Sequence, residues 1–112
     1  MYNDDFSINR RASRRENANL PAQYFIKKQS ARYMDCTIVN LSRSGAGVLF
    51  PAGETLDKGA PVFLDVVVPK SFEQLTLRGE IKRNYHEGSK LFGGIKFDSL
   101  LPEDMFIKLV AP

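Results

Sequence analysis

The sequence is poor in the residues on which many catalytic and metal sites depend. Its 112 residues include one cysteine, one histidine and no tryptophan. A lone Cys36 excludes an intramolecular disulfide, and with only His86 beside it the chain offers no cluster that could form a zinc site. We therefore expect a reducing compartment, no metal and no other cofactor.

Long apolar stretches are also missing. No run approaches the roughly 20 apolar residues that a membrane-spanning helix needs, and the polar, acidic residues 1–9 differ from a signal peptide. Hydrophobic residues make up 43% of the chain and charged residues 26%, which is typical of a globular protein. We expect one small cytoplasmic domain that does not insert into a membrane.

The excess of positive charge is confined to one place. The chain carries 16 Lys and Arg against 13 Asp and Glu, a net charge of +3. Four arginines, Arg10, Arg11, Arg14 and Arg15, fall within six consecutive positions, and without them the net charge would be −1. Guanidinium groups are planar, permanently charged and forked, so this cluster suits phosphates, aromatic faces and paired acceptors. It predicts a localised nucleotide site and not a surface that coats a nucleic acid polymer.

The chain changes character at Pro21. Residues 1–20 lack both helical and strand periodicity, which predicts a flexible arm. Short apolar stretches separated by Gly, Pro and polar turns then predict an antiparallel β domain over residues 21–112. The predicted strands are 22–27, 33–40, 46–50, 61–68, 75–85 and 91–97. Because six strands would leave unpaired edges, we expect an all-β fold closed into a six-stranded antiparallel barrel.

Alternation within the predicted strands assigns their faces. In the fifth strand one face, predicted to point inward, carries Leu75, Leu77, Gly79, Ile81 and Arg83. The residues between them share the outer, solvent-exposed face. Residues 86–89 predict a hairpin turn into the sixth strand, whose Leu91, Ile95 and Phe97 would face inward. A short helix is predicted after Ser99 or Pro102, with an apolar stripe of Phe106, Ile107 and Val110. It would plug the barrel.

A second polar motif, Asn40-Leu41-Ser42-Arg43-Ser44-Gly45, lies between two predicted strands. Asn40 and Ser42 are two residues apart at a strand end, so their side chains point the same way. Gly45 would supply an unusual turn conformation and let a ligand approach the main chain. Alone, the motif fits a capped strand–turn–strand corner as well as it fits a ligand site.

Together the two motifs resemble the PilZ domain family of bacterial cyclic di-GMP receptors. The Arg-x-x-x-Arg motif occurs in two overlapping registers, and the Asn-x-Ser-x-x-Gly motif follows some 25 residues later. The resemblance extends to the last strand at 94–97. It implies a barrel with a flanking helix that binds cyclic di-GMP between the arginine arm and one barrel face.

The resemblance also implies roles for individual residues. The pair Arg11 and Arg15, or the pair Arg10 and Arg14, would contact phosphates and guanine, and the spacing from Arg15 to Pro21 favours the later pair. Asn40 and Ser42 would hold a guanine, and Gly45 would keep the loop close. Asn40 stands where Asp is commoner in the family, which removes an anionic acceptor, so we expect binding of altered strength.

The residue types present favour some classes of function over others. No convergent acid, base, nucleophile or metal set is present, so we expect no enzyme. A binder of single-stranded nucleic acid needs exposed aromatic platforms, whereas Tyr24, Tyr33, Tyr85 and most phenylalanines are predicted to face inward. The cations Arg43, Arg78, Lys82 and Arg83 either line a ligand face or solvate the barrel, and we expect the second.

The favoured function is a cyclic di-GMP receptor that changes conformation on binding. It would signal to a downstream protein partner that controls motility, biofilm or exopolysaccharide. The alternative is a PilZ-like protein-interaction adaptor that does not bind nucleotide, against which the intact motifs count.

Overall fold

Six strands close into a barrel in the computed structural model, which describes residues 14–110. The elements are β1 (Glu16–Ile26), β2 (Met34–Leu41), β3 (Gly45–Phe50), β4 (Pro61–Val67), β5 (Gln74–Glu87), β6 (Lys90–Phe97) and the helix α1 (Glu103–Val110). The strand order is β1-β2-β3-β6-β5-β4, all neighbours are antiparallel, and β1 pairs with both β2 and β4. The predicted barrel is confirmed, because each strand has a partner on both sides.

The barrel interior is filled by alternate residues of each strand. In β4, Val62, Leu64 and Val66 are buried, and in β6 Leu91, Ile95 and Phe97 are buried. These are the inward faces that the sequence predicts. The largest fully buried side chain is Tyr24, whose ring packs edge-on against Phe50 at a centroid distance of 4.8 Å.

Helix α1 packs against the barrel through a stripe that differs from the predicted one. Phe106 and Leu109 are buried, whereas Ile107 is 52% exposed. Phe106 and Leu109 are three residues apart and share one helix face, and Ile107 falls on another. No helix within residues 14–110 is long and apolar enough to cross a membrane.

Strand β1 begins earlier than its local sequence predicts. The predicted strand starts at Ala22, but Asn17 already pairs with Asn40 and Leu20 with Ile38. Residues 16–20 are mostly polar and do not by themselves predict a strand. They form one because pairing with β2 supplies the backbone hydrogen bonds, and strand formation depends on such context. The last five residues of the predicted arm therefore belong to β1, and its residues 1–13 lie outside the described residues.

Within residues 14–110, the strand pairing shifts register at three places. The shifts lie between Asn17 and Leu20, between Ile38 and Asn40, and between Ile81 and Arg83. In β5 the shift leaves Ile81 buried and exposes both Lys82 and Arg83. The prediction that Arg83 shares the inward face of Ile81 is therefore wrong, because an extra residue at a bulge reverses the alternation beyond it.

Candidate ligand-binding groove

One row of paired residues crosses five strands of the barrel. It runs from Asn17 in β1 through Asn40 in β2, Gly47 in β3 and Gly94 in β6 to Arg83 in β5. Asn17, Asn40 and Arg83 each stand at one of the three register shifts. Bulges redirect side chains and are common next to functional sites. This row is where the barrel departs most from regular pairing.

The two glycines at the centre of the row make room for their neighbours' side chains. A Cβ atom on Gly47 would lie 2.5 Å from Asn40 Nδ2 and 2.7 Å from Phe92 Cζ. A Cβ atom on Gly94 would lie 2.9 Å from Arg83 Cγ. Asn40 thus lies over Gly47 from one side, and Arg83 lies over Gly94 from the other.

A direct hydrogen bond joins the two sequence motifs. Arg15 Nη1 donates to Asn40 Oδ1 at 2.6 Å, although the residues are 25 positions apart. Glu16 pairs with Leu41 in the β1–β2 ladder, so the residue before β1 comes to lie beside the end of β2. The contact is exposed, and an exposed bond of this kind is weak enough to be exchanged for a ligand.

Arg14 points elsewhere. Its Nε lies 3.0 Å from Glu16 Oε2, and its Cζ lies 5.8 Å from the ring centroid of Phe106 in α1. Neighbouring residues of an extended segment face opposite sides, so Arg15 reaches Asn40 while Arg14 reaches Phe106 of the helix. Arg10 and Arg11 lie outside the described residues.

Ser42 orders the turn between β2 and β3. Its side chain is 1% exposed, and its Oγ accepts hydrogen bonds from the backbone N–H groups of Ser44 and Gly45 at 3.2 and 3.1 Å. The backbone of this turn is therefore fixed by the serine of the motif. The Ser42 hydroxyl is thus already engaged by hydrogen bonds within the loop itself.

Gly45 is required for packing and not for an unusual turn conformation. A Cβ atom on Gly45 would overlap the carbonyl oxygen of Ile95 in β6. Among the described glycines, only Gly59 and Gly88 have a positive φ. The expectation that Gly45 supplies a rare backbone angle is wrong, because its lack of a side chain serves the close approach of β3 and β6.

A basic groove of about 390 Å³ lies beside this row. Its lining residues are Arg15, Ser44, Gly45, Lys82, Arg83, Gly94, Ile95 and Lys96. Four of them are cations, and Lys82 Nζ lies 2.6 Å from Glu80 Oε1. That hydrogen bond and the lysine charge lower the pKa of Glu80. The predominance of positive charge suits an anionic ligand. The sequence favours solvation of the barrel for Lys82 and Arg83, and no signal in the β5 alternation marks them as groove residues.

An aromatic pair lies next to the row of paired residues. Tyr85 and Phe92 are paired across β5 and β6, with ring centroids 4.9 Å apart and planes inclined at 32°. Tyr85 is 48% exposed and Tyr33 39% exposed, so the prediction that both face inward is wrong. The placement of aromatic residues therefore does not discriminate between a dinucleotide and a single-stranded nucleic acid.

Other candidate reactive residues fall away from the groove. Cys36 is buried in the core, and His86 is exposed near the β5–β6 turn. In the part of the chain that the structure describes, no group of three His, Cys, Asp or Glu residues could hold a metal ion.

Comparisons with known proteins agree on the type of domain. The family model of the PilZ domain matches residues 9–111. The solved structure of the inhibitor of motility MotI/DgrA from Bacillus subtilis aligns with a TM-score of 0.68 at 17% identity, over 85% of this chain and 46% of that one. The PilZ domain of CeSA from a cellulose-synthesising bacterium aligns with a TM-score of 0.63 at 23% identity, over 88% and 95%.

The chain thus spans about half the length of MotI/DgrA and nearly all of the CeSA domain. At these identities the two structures support the fold alone. A search among curated proteins gave no match to this chain.

Proposed function

This chain belongs to the PilZ domain family, and we propose that it is a cytoplasmic cyclic di-GMP receptor without catalytic activity. The observation that carries the proposal is the hydrogen bond from Arg15 to Asn40. It brings one residue of each motif to the edge of a basic groove, where a dinucleotide can meet both at once.

The chemistry of the groove fits the ligand. A guanidinium fork can donate to the O6 and N7 atoms of a guanine, and its plane can stack on the base. Nearby cations can neutralise the two phosphates. Asn40 offers an amide oxygen to a guanine N–H group.

The remaining motif residues have supporting roles in this proposal. Ser42 and Gly45 shape the loop that follows Asn40. Ser42 can contact the guanine only if the ligand displaces the hydrogen bonds that the Ser42 hydroxyl makes within the turn. We assign Arg11 and Arg15 to direct ligand contact. Arg15 faces the groove whereas Arg14 faces α1, which supports that register over the pair with Arg10.

The proposal includes a conformational change and an output. The part of residues 1–20 that precedes β1 would act as an arm that closes over the ligand on the barrel domain, and Arg14 beside Phe106 would carry this change towards α1. A downstream protein partner would then control motility, biofilm or exopolysaccharide. One structural neighbour is named an inhibitor of motility and the other is from a cellulose-synthesising bacterium, and the outputs proposed for this chain are of the same class.

Isothermal titration calorimetry with cyclic di-GMP, GTP and a short oligonucleotide tests the proposal. We expect binding heat with cyclic di-GMP and none with GTP or the oligonucleotide. Arg11→Ala combined with Arg15→Ala should abolish it, and Arg10→Ala combined with Arg14→Ala, which removes the same charge, should weaken it less. Circular dichroism of each variant would confirm folding.

The outcomes separate the competing functions. No heat with any ligand from a folded protein would overturn the receptor proposal in favour of the adaptor. Heat with the oligonucleotide alone would indicate a nucleic acid binder. Loss of binding only on changing Arg10 and Arg14 would overturn the register and leave the function standing.

A further inference from the structure

Arg83 reaches the groove only because β5 contains a bulge. Gly79 pairs with Phe97 and Ile81 with Ile95, but Arg83 pairs with Gly94, so Lys82 is an extra residue in the ladder. The shift reverses the alternation and turns Arg83 out of the barrel. A bulge that exposes a cation at a groove redirects a side chain, which is a common use of this irregularity.

The surroundings of Arg83 leave its guanidinium donors available. Its Cγ and Nε would lie 2.9 and 3.1 Å from a Cβ atom on Gly94, so the side chain rests on the glycine surface. The ion pairs found within residues 14–110 engage Arg14, Arg78 and Lys82 but not Arg83. Arg83 also makes none of the side-chain hydrogen bonds found there. A ligand can therefore take up its donors.

Arg83 and Asn40 stand on either side of two glycines in this row of paired residues. Asn40 is paired with Gly47, Gly47 with Gly94, and Gly94 with Arg83. The Asn40 side chain lies over Gly47, and the Arg83 side chain lies over Gly94. Arg15 bonds to Asn40 on one side, and Arg83 lines the same groove from the other.

We propose that Arg83 is a further ligand-contacting residue, which binds cyclic di-GMP from β5 while Asn40 binds it from β2 and Arg15 binds it from the position just before β1. This inference rests on the proposed function. The guanidinium fork would donate to a pair of adjacent acceptors, which the ligand offers both at its phosphodiesters and at the O6 and N7 edge of guanine. A lysine would supply the charge but not the fork.

Titration of cyclic di-GMP into Arg83→Ala, Arg83→Lys and Arg78→Ala tests the inference. Arg78 is the matched control, because it lies on the same strand and carries the same charge. Its guanidinium instead pairs with Asp98 at 3.1 Å and lies over the Phe63 ring. We expect Arg83→Ala to weaken binding about tenfold or more, Arg83→Lys to restore little of it, and Arg78→Ala to stay within about twofold of the wild type.

A 7-deazaguanine analogue of cyclic di-GMP, which lacks N7 and keeps both phosphates, distinguishes the two acceptor pairs. If Arg83 contacts the guanine edge, Arg83→Ala should cost less affinity for the analogue than for the natural ligand. An equal loss for both ligands would assign the contact to a phosphodiester.

Failure of the inference is distinct from failure of the function. If the wild type binds and Arg83→Ala binds equally well, Arg83 is no ligand contact and the receptor function stands. Equal weakening by Arg83→Ala and Arg78→Ala that disappears at high salt would also overturn the inference, because it would reflect overall charge. If the folded wild type does not bind, the proposed function itself fails.

Discussion

Gly45 of the second motif has a packing role that can be separated from ligand binding. A Cβ atom there would meet the backbone carbonyl of Ile95, which cannot rotate away as a side chain could. We expect Gly45→Ala to lower the free energy of unfolding by about 1 to 3 kcal/mol, measured by urea denaturation. Gly53 is the matched control, since nothing lies within 4 Å of its Cβ position. Equal stabilities of Gly45→Ala and Gly53→Ala would contradict the close approach of β3 and β6.

Asn40 allows a second prediction at this scale. Asn40→Asp places a carboxylate where guanine N–H groups are expected, and hydrogen bonds to a charged group contribute about 1.5 to 3 kcal/mol. The same change strengthens the exposed contact with Arg15, but exposed ion pairs contribute only about 0 to 1 kcal/mol. We therefore expect cyclic di-GMP to bind about threefold to tenfold more tightly in calorimetry.

The control for this change is Asn19→Asp, which adds the same charge at an exposed position of β1 outside the groove lining. We expect it to leave the affinity within about twofold. Weaker binding by Asn40→Asp would show that the contact with Arg15 outweighs the contact with guanine.

The residues of the two motifs could be recognised from the sequence, but their contacts could not. Spacing alone marks Asn40, Ser42 and Gly45 as a turn next to a strand. Their different tasks depend on partners that are remote in sequence: Arg15 for Asn40 and Ile95 for Gly45. Only the pairing of β1 with β2 and of β3 with β6 brings these partners together.

Helix α1 is tied to the motif turn by a reciprocal pair of hydrogen bonds. Arg43 Nε donates to the carbonyl of Leu101 at 2.7 Å, and Leu101 N–H donates to the carbonyl of Arg43 at 2.8 Å. The first bond is part-buried, so Arg43→Ala would leave a shielded carbonyl without its donor, at a cost of about 1 to 3 kcal/mol. We expect faster hydrogen exchange in residues 101–110, since this segment would open more often.

Hydrogen exchange monitored by mass spectrometry checks this prediction. Arg32→Ala is the control, because Arg32 is exposed in the connection between β1 and β2. It should leave exchange in α1 unchanged. If Arg43→Ala also leaves it unchanged, the motif turn does not hold the helix.

Regular strands were predictable as elements, whereas their irregularities were not. In β4 an unbroken alternation gives the correct face of every core residue from Val62 to Val66. In β5 the same reasoning holds as far as Ile81 and then assigns Arg83 to the wrong face. A bulge is set by pairing with the neighbouring strand, here β6, and leaves no period in its own sequence. The sequence of β5 alone therefore cannot show that Arg83 lines the groove.

For the molecule as a whole, closure of the barrel was predictable because unpaired strand edges are a liability. Six short strands without a covering layer leave two edges open to pairing with other chains, and closure removes both. The pairing of β1 with β4 confirms this reasoning. The same closure also creates a shielded interior, which holds groups whose protonation then depends on folding.

Two such groups, Cys36 and Tyr24, make the barrel sensitive to alkaline pH. Burial raises the pKa of the Cys36 thiol from 9.0 to about 12. Burial also raises the pKa of the Tyr24 hydroxyl, aided by its hydrogen bond to Glu54. Both groups keep their protons in the folded state at pH values where the unfolded chain loses them. Their contribution to stability is therefore complete below about pH 9 and falls as the pH rises towards 12.

We expect the free energy of unfolding in urea to be about 1 to 2 kcal/mol lower at pH 10 than at pH 7, with most of the loss from Cys36. Cys36→Ala removes the thiol, so its loss over the same interval should be smaller by about 1 kcal/mol, whatever the variant's stability at pH 7. Parallel declines in the two proteins would show that the thiol keeps an ordinary pKa in the barrel. The alkaline loss would then come from other groups, such as lysines that lose their charge.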